Sequence, residues 1–254
     1  KNKDLKIHLF EDILEGSLRE SLFQSLKSRG HQVVKTNPVW RGHKLPKTKD
    51  DIRFIREAIE QVIADKPDVL FNFRASALTP EMINEVRNAG IKTVVWLPDD
   101  PVLYKVCYSQ VIDHYDLVLN CGGSSVLDFY EQEHGLKGIN FPFWTGVNTF
   151  VKTLDYSLPK IDDFAFLGNT TGKIRSDRYN LLCRLPGSVA IYGKTDDDKY
   201  NLGRGYLKTN DEIAQALGNA KLGVNIPQFF YDYHGHEYNF SKLARLGAFQ
   251  FPSR

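Results

Sequence analysis

The residues best suited to chemistry lie just past the midpoint of the chain, at 163–178, DFAFLGNTTGKIRSDR. The apolar run 164–167 has the length of a buried strand. It breaks at Gly168-Asn169-Thr170-Thr171-Gly172, and helical spacing follows, with Ile174, Leu181, Leu182 and Leu185 on one side. Strand, small-residue loop and basic helix start together can cradle an anion. Glycines let the backbone approach the ligand, free N–H groups point at it, and Lys173 and Arg175 add charge. The same pattern describes an ordinary strand-to-helix turn with solvated charges. It is not a Walker loop, because the glycine–lysine–serine/threonine ending is absent.

Other candidates are scattered. Asp99 and Asp100 sit between Pro98 and Pro101. Adjacent residues leaving a strand point in different directions, so the two do not share a proton. Either one acts as base toward an acceptor hydroxyl, if burial raises its pKa, or the pair is a proline-flanked turn with an aspartate cap. His234 and His236 flank Gly235 in an aromatic stretch. An HxH pair can hold a metal, but no third ligand stands at useful spacing, so no metal is expected. A hydrogen bond to phosphate or sugar and a plain surface position are the remaining readings. Phe229, Phe230, Tyr231, Tyr233 and Tyr238 either stack on a base or sugar or pack an interface. Ser17 after Gly16 bonds a donor phosphate or sugar oxygen, or else caps a helix.

These residues need a scaffold, and the totals allow one. At 254 residues the chain can form two modest domains or one large one. With 42% hydrophobic and 25% charged residues its composition is that of an ordinary globular protein. A net charge of +2 gives no strong nucleic-acid signal. Cys107, Cys121 and Cys183 are odd in number, widely spaced and set in apolar surroundings, which predicts reduced thiols in a cytoplasmic protein. No apolar run approaches the ~20 residues that span a bilayer, and no signal peptide is recognisable. The first residue is not methionine, so the chain is expected to be trimmed.

The elements alternate. Strands are predicted at 5–10, 32–36, 69–73, 93–97, 117–121 and 139–143. Helices are predicted at 18–28, 51–64, from 79 to Gly90, at 103–113, and from 122 to before Gly135. Residues 148–162 read as a linker. A second series follows: strand 164–167, helix to Leu185, strand 189–192, polar loop 195–205, helix 210–217 capped at Thr209 or Asn210, strand 222–226, aromatic loop, helix 240–246 and strand 248–251. Such αβ repeats imply parallel sheets with right-handed crossovers. The expectation is an α/β protein of two Rossmann-like domains, 1–150 and 151–254, the second incomplete at its end. In open parallel sheets ligands bind outside the carboxyl ends of the strands. The segments leaving those ends are 10–16, 74–79, 98–101, 121–125, 168–173, Gly193 and 227–239. Two facing domains would gather them on one cleft.

Several stretches together resemble a family. VWLPDDP at 95–101, DLVLNC at 116–121, FPFWTGVN at 141–148, FAFLG at 164–168, Tyr192-Gly193, AKLGVNIPQ at 220–228 and NFSKLARLGAFQ at 239–250 are similar, in order, to the CgeB-like (spore-maturation type) glycosyltransferases. The resemblance implies the two-Rossmann-domain architecture called GT-B. It implies an acceptor-binding amino-terminal half, a nucleotide-sugar-binding carboxyl half, and neither a cofactor nor an obligatory metal. A UDP-sugar is the favoured co-substrate. Lys173 and Arg175 would then stabilise the departing diphosphate, and Gly168 and Gly172 would make room for it. Asn169, Thr170, Tyr192, Gly193, Asn225, Gln228, His234, His236, Asn239 and Phe240 would line the donor. The family usually carries an acidic residue five positions before the glycine matching Gly247; here that residue is Lys242. The usual preceding arginine is matched by Asn239, and Glu237 is the available carboxylate nearby. The primary expectation is a hexosyltransferase-type enzyme moving a sugar from a nucleoside diphosphate to a hydroxyl. The rival is a non-catalytic nucleotide-sugar sensor or scaffold. A third reading, glycosylation of modified DNA bases, lacks a basic stripe.

Overall fold

The computed structural model describes residues 4–10, 18–36, 48–73, 75–98, 100, 103–105, 107–142, 155–171, 176–196 and 198–226. The chain divides into two compact units, each holding one parallel sheet.

The first unit contains β1 (Lys6–Phe10), α1 (Leu18–Ser28), β2 (Gln32–Thr36), α2 (Lys49–Asp65), β3 (Val69–Asn72), α3 (Pro80–Asn88), β4 (Lys92–Leu97), β5 (Leu117–Asn120), α4 (Ser124–His134) and β6 (Gly138–Asn140). Its strand order is β2-β1-β3-β4-β5-β6, and every neighbouring pair is parallel. The order reverses between β1 and β3, the arrangement of an open doubly wound sheet. Ile7, Leu9, Phe73, Trp96 and Leu119 form one buried cluster, against which Leu18, Leu22, Phe23 and Leu26 of α1 pack. In α2 and α3, Ile55, Ile59, Val62, Met82, Ile83 and Val86 are buried at helical spacing, whereas Ile52, expected on the same stripe, is 36% exposed. Thr48 and Thr79 cap these helices by accepting from the backbone N–H three residues on, and Pro80 stands at the first position of α3.

The second unit contains β7 (Asp162–Leu167), α5 (Ser176–Leu182), β8 (Val189–Tyr192), β9 (Gly203–Gly205), α6 (Asn210–Gly218) and β10 (Ala220–Val224), in the parallel order β10-β7-β8-β9. Phe166, Tyr179, Leu182, Val189 and Ile191 make its core. Thr209 is the cap of α6, in a reciprocal box with Glu212.

The structure thus shows an α/β protein with two parallel sheets, and three local expectations change. The segment predicted as helix 103–113 is a run of turns with 3-10 turns at Tyr108–Gln110 and Ile112–His114. Cys107, Tyr108, Val111 and Ile112 are poor helix formers held by burial. Helix α5 stops at Leu182 rather than Leu185, because Pro186 disfavours helical geometry in the residue before it. The polar loop 195–205 ends in the edge strand β9. Cys107, Cys121 and Cys183 are in the thiol form, not joined in disulfides, and the first two are buried. Among the described residues no helix is long and apolar enough to cross a membrane.

One buried group is expected to make the first unit pH-sensitive. His8 on β1 is 1% exposed, and its Nε2 meets the Thr36 hydroxyl. Burial pushes its pKa below the usual histidine value, against the pull of Asp65. The unfolded chain therefore takes up this proton first as pH falls below about 6.5. The contribution of His8 to stability is present above that pH and is lost as pH falls toward the depressed folded value. Thermal melts are expected to show Tm falling from pH 7.5 to 5.5, with a shallower fall in His8→Leu. An equal slope in the variant would assign the acid sensitivity elsewhere.

Candidate functional site

The described part of the candidate site is the carboxyl edge of the second sheet. Strand β7 runs between β8 and β10, and strand order reverses between β7 and β10, where open parallel sheets accept ligands. The register Leu167↔Tyr192 brings the two strands out side by side, with Gly168 after one and Gly193 after the other. The two loops are locked together. Gly168 N–H donates to the Tyr192 carbonyl and Thr170 N–H to the Lys194 carbonyl, both at 2.9 Å. Gly193 N–H donates in turn to the Gly205 carbonyl of β9 at 2.8 Å. The backbones approach so closely that a Cβ on Gly193 would lie 2.4 Å from the Gly168 carbonyl oxygen.

Asn169 sits at the centre of this joint. Its Oδ1 accepts from Lys194 N–H at 2.8 Å and from the Tyr206 hydroxyl at 3.2 Å, which fixes which end of the amide is oxygen. The Nδ2 donors of Asn169 have no partner among the described residues. The Asn169 carbonyl accepts from Arg178 Nη1 at 3.2 Å, and the Arg178 guanidinium lies 5.7 Å from the centroid of the Phe166 ring. Thr170 is 4% exposed and its hydroxyl faces the Lys194 carbonyl at 3.5 Å, so it serves the joint between loops. Tyr192 is half-buried; burial raises its pKa, Asp162 adds to the rise and Arg204 opposes it. Asn225 is exposed just after β10, one residue past the pairing of Val224 with Phe166. The backbone N–H groups of Gly168, Thr170, Gly193 and Lys194 are thus already paired, and the edge offers the side-chain amide donors of Asn169 on a rigid backbone, a fit for phosphate or sugar oxygens rather than for a cation.

Beside it, Asp198 gathers the end of the polar loop. Its carboxylate accepts from the Tyr179 hydroxyl at 2.7 Å, Leu202 N–H at 2.9 Å and Gly203 N–H at 2.8 Å. Partial burial works against the charge, yet these bonds and Arg204 hold Asp198 below the usual carboxylate range. Burial pushes the Tyr179 hydroxyl up to about 12, and this hydroxyl also accepts from Tyr200 N–H at 3.2 Å. Tyr179→Phe is expected to cost about 1 kcal/mol in urea unfolding, because both bonds are lost together. A midpoint equal to wild type would show that this clamp contributes nothing.

Of the residues singled out from sequence, Gly168, Asn169, Thr170, Tyr192, Gly193 and Asn225 occupy this one edge. Asp100 belongs to the first unit, where it is 1% exposed and its Oδ1 accepts from the Tyr130 hydroxyl at 2.5 Å. Burial and this carboxylate raise the Tyr130 pKa well above the ordinary value. Asp99, Gly16, Ser17, Gly172, Lys173, Arg175, Gln228, His234, His236, Glu237, Asn239, Phe240 and Lys242 lie outside the described residues. Sequence reasoning missed Lys194, whose backbone bonds both Asn169 and Thr170. It also missed Tyr206, whose ring is 63% exposed beside Asn169. Neither stands in a hydrophobic period or a motif, so nothing local marked them.

No family model and no curated protein matches the chain. Among solved structures, LsrB from Clostridium saccharobutylicum in complex with AI-2 is similar at 9% identity and TM-score 0.32, over 69% of this chain and 46% of that one. The periplasmic binding protein of the arabinose ABC transporter from Shewanella sp. ANA-3, bound to L-arabinofuranose, is similar at 14% identity and TM-score 0.30, over 69% and 48%. The Cra transcriptional dual regulator from Pseudomonas putida, in complex with fructose 1-phosphate, is similar at 14% and 0.32, over 84% and 72%. The chain spans about half the length of the first two. Similarity at TM-scores near 0.3 carries no assignment of ligand or activity.

Proposed function

We propose that this chain is a GT-B-type glycosyltransferase of the CgeB-like kind, transferring a sugar from a nucleoside diphosphate, UDP favoured, to a hydroxyl acceptor without an obligatory metal. The observation that supports it best is Asn169: its carbonyl end is locked by Lys194 and Tyr206, and its free amide donors stand at the strand-order reversal of the second sheet. A rigid donor edge of this kind suits the diphosphate or the sugar hydroxyls of the co-substrate. Lys173 and Arg175 follow directly in the chain and would supply the charge that offsets the leaving diphosphate. Asp100 is the base candidate on the acceptor side. Its burial and its hydrogen bond to Tyr130 give it a fixed orientation.

The test is calorimetry with UDP and UDP-sugars together with release of UDP in the presence and absence of hydroxyl acceptors. Saturable UDP-sugar binding with turnover supports the reading; no binding to any nucleotide sugar overturns it. A second reading, a nucleotide-sugar sensor, is favoured by Lys242 at the position where the family usually has an acidic residue. Binding without release of UDP under any acceptor condition would select it.

A further inference from the structure

We infer that the first unit carries an oxyanion site of its own at the carboxyl end of β5, formed by Asn120, the turn at Gly122 and Gly123, and the first turn of α4, and that it takes the phosphate group of a small molecule. Asn120 ends β5 and is fully buried. Its Oδ1 accepts from Gly122 N–H at 3.1 Å, so the carboxamide is folded against the turn that opens α4. That bond assigns the other end of the amide as Nδ2, and this buried donor has no partner among the described residues. A buried donor without an acceptor is costly and rare, and a ligand oxygen at the turn would complete it.

Independently, α4 begins unsatisfied. It is 11 residues long, its cap residue is Gly123 and no side chain caps it. No acidic residue stands in its first turn. Gly123 has φ +87°, a conformation glycine adopts freely, and it brings the chain from β5 into the helix, whose first N–H groups have no intrahelical acceptor. Ser124 and Ser125 are exposed beside them, and their hydroxyls can rotate to donate. The Gly122 N–H and Asn120 Oδ1 satisfy each other, which leaves Asn120 Nδ2, the first N–H groups of α4 and the serine hydroxyls as donors, and the helix dipole adds partial positive charge. Asp100, whose backbone carbonyl lies against Gly122, engages the Tyr130 hydroxyl, and Asp128 lies beyond the first turn of α4. Several donors spread over a helix start and one side-chain amide suit the tetrahedral oxygens of phosphate better than a planar carboxylate. The site stands without the sugar-transfer reading; under that reading its ligand is an acceptor that bears a phosphate monoester.

The test uses the full chain in a Lys173→Ala/Arg175→Ala background, so that the cations of the second unit do not contribute. Inorganic phosphate is titrated at constant ionic strength with thermal melting as readout, and sodium acetate is the parallel arm. Phosphate is expected to raise Tm saturably by about 2–4 °C. Adding Ser125→Glu, at an exposed position, places a carboxylate on the helix start. That change is expected to raise the starting Tm and abolish the phosphate response. Asn120→Leu is expected to weaken the response about tenfold. The proposal is overturned if phosphate has no saturable effect, if the effect survives Ser125→Glu, or if acetate binds as tightly. A separate UDP titration of the unmutated chain reports on the nucleotide-sugar reading, so the two proposals can fail independently.

Discussion

Under the proposed sugar-transfer function, Arg175→Ala is expected to lower nucleotide-sugar turnover by about 10²- to 10³-fold, the range seen when one preorganised charge-stabilising donor is removed. The argument runs through the neighbour that can be placed. Arg178 holds the Asn169 carbonyl and lies over Phe166, so its guanidinium is committed to the loop. Lys173 and Arg175 are the cations that the sequence places between Thr171 and α5. Charge that develops on a leaving group is stabilised most by groups already in place, so the loss should appear in kcat more than in KM. The melting temperature should be unchanged. Steady-state kinetics with a UDP-sugar, alongside a thermal melt, decides the matter. Turnover within about twofold of wild type would remove Arg175 from the mechanism.

Gly193→Ala should have the larger effect on structure. The added methyl meets the Gly168 carbonyl oxygen at 2.4 Å and carbon at 2.7 Å, and both are backbone atoms that cannot rotate away. The loops after β7 and β8 must part. The bonds Gly168 N–H to Tyr192 and Thr170 N–H to Lys194 then weaken or break. Overpacking of this kind costs about 1–3 kcal/mol, and each lost bond adds about 1 kcal/mol. A total of roughly 3–5 kcal/mol is a large part of the stability of a domain this size. If the joint also aims the amide of Asn169 at the donor, UDP affinity should fall in any fraction that remains folded. Chemical denaturation and calorimetry on the same preparation measure the two effects. A denaturation midpoint equal to wild type would show that the loops are not rigidly joined.

Much of the fold was legible in the chain because burial leaves a period. The runs at 69–73, 93–97 and 117–121 are apolar but for Asn72, Thr93 and Asn120, as befits strands covered on both faces. Helix α2 carries Ile55, Ile59 and Val62 at helical spacing, and its cap Thr48 and the caps of α3 and α6 are residue types that bond backbone N–H groups. The parallel sense of both sheets followed from alternation of strands and helices. The placement of Gly168, Asn169, Tyr192 and Gly193 at one carboxyl edge was likewise readable, since small residues after a buried strand mark such an edge.

What the chain could not reveal are pairings between segments with no local signature. Strand β9 is Gly-Arg-Gly, without an apolar alternation, and exists because β8 offers an open edge and Asp198 ties down Leu202 and Gly203. Tyr206 reaches Asn169 only after that strand has formed, across 37 residues of sequence. Asn120 reads as the polar end of a strand; its burial with one donor unpartnered among the described residues is a property of its surroundings. The segment 103–113 shows the converse, where a helical pattern yields to tight turns because its buried residues gain more from packing than from a poorly supported helix. Sequence by itself determined most of the strands and helices and which loops are glycine-rich, because those features are set by residues close in the chain. Tertiary structure alone decided which loops meet and which donors are left over, because hydrogen bonds between distant segments depend on where the strands lie in the sheet.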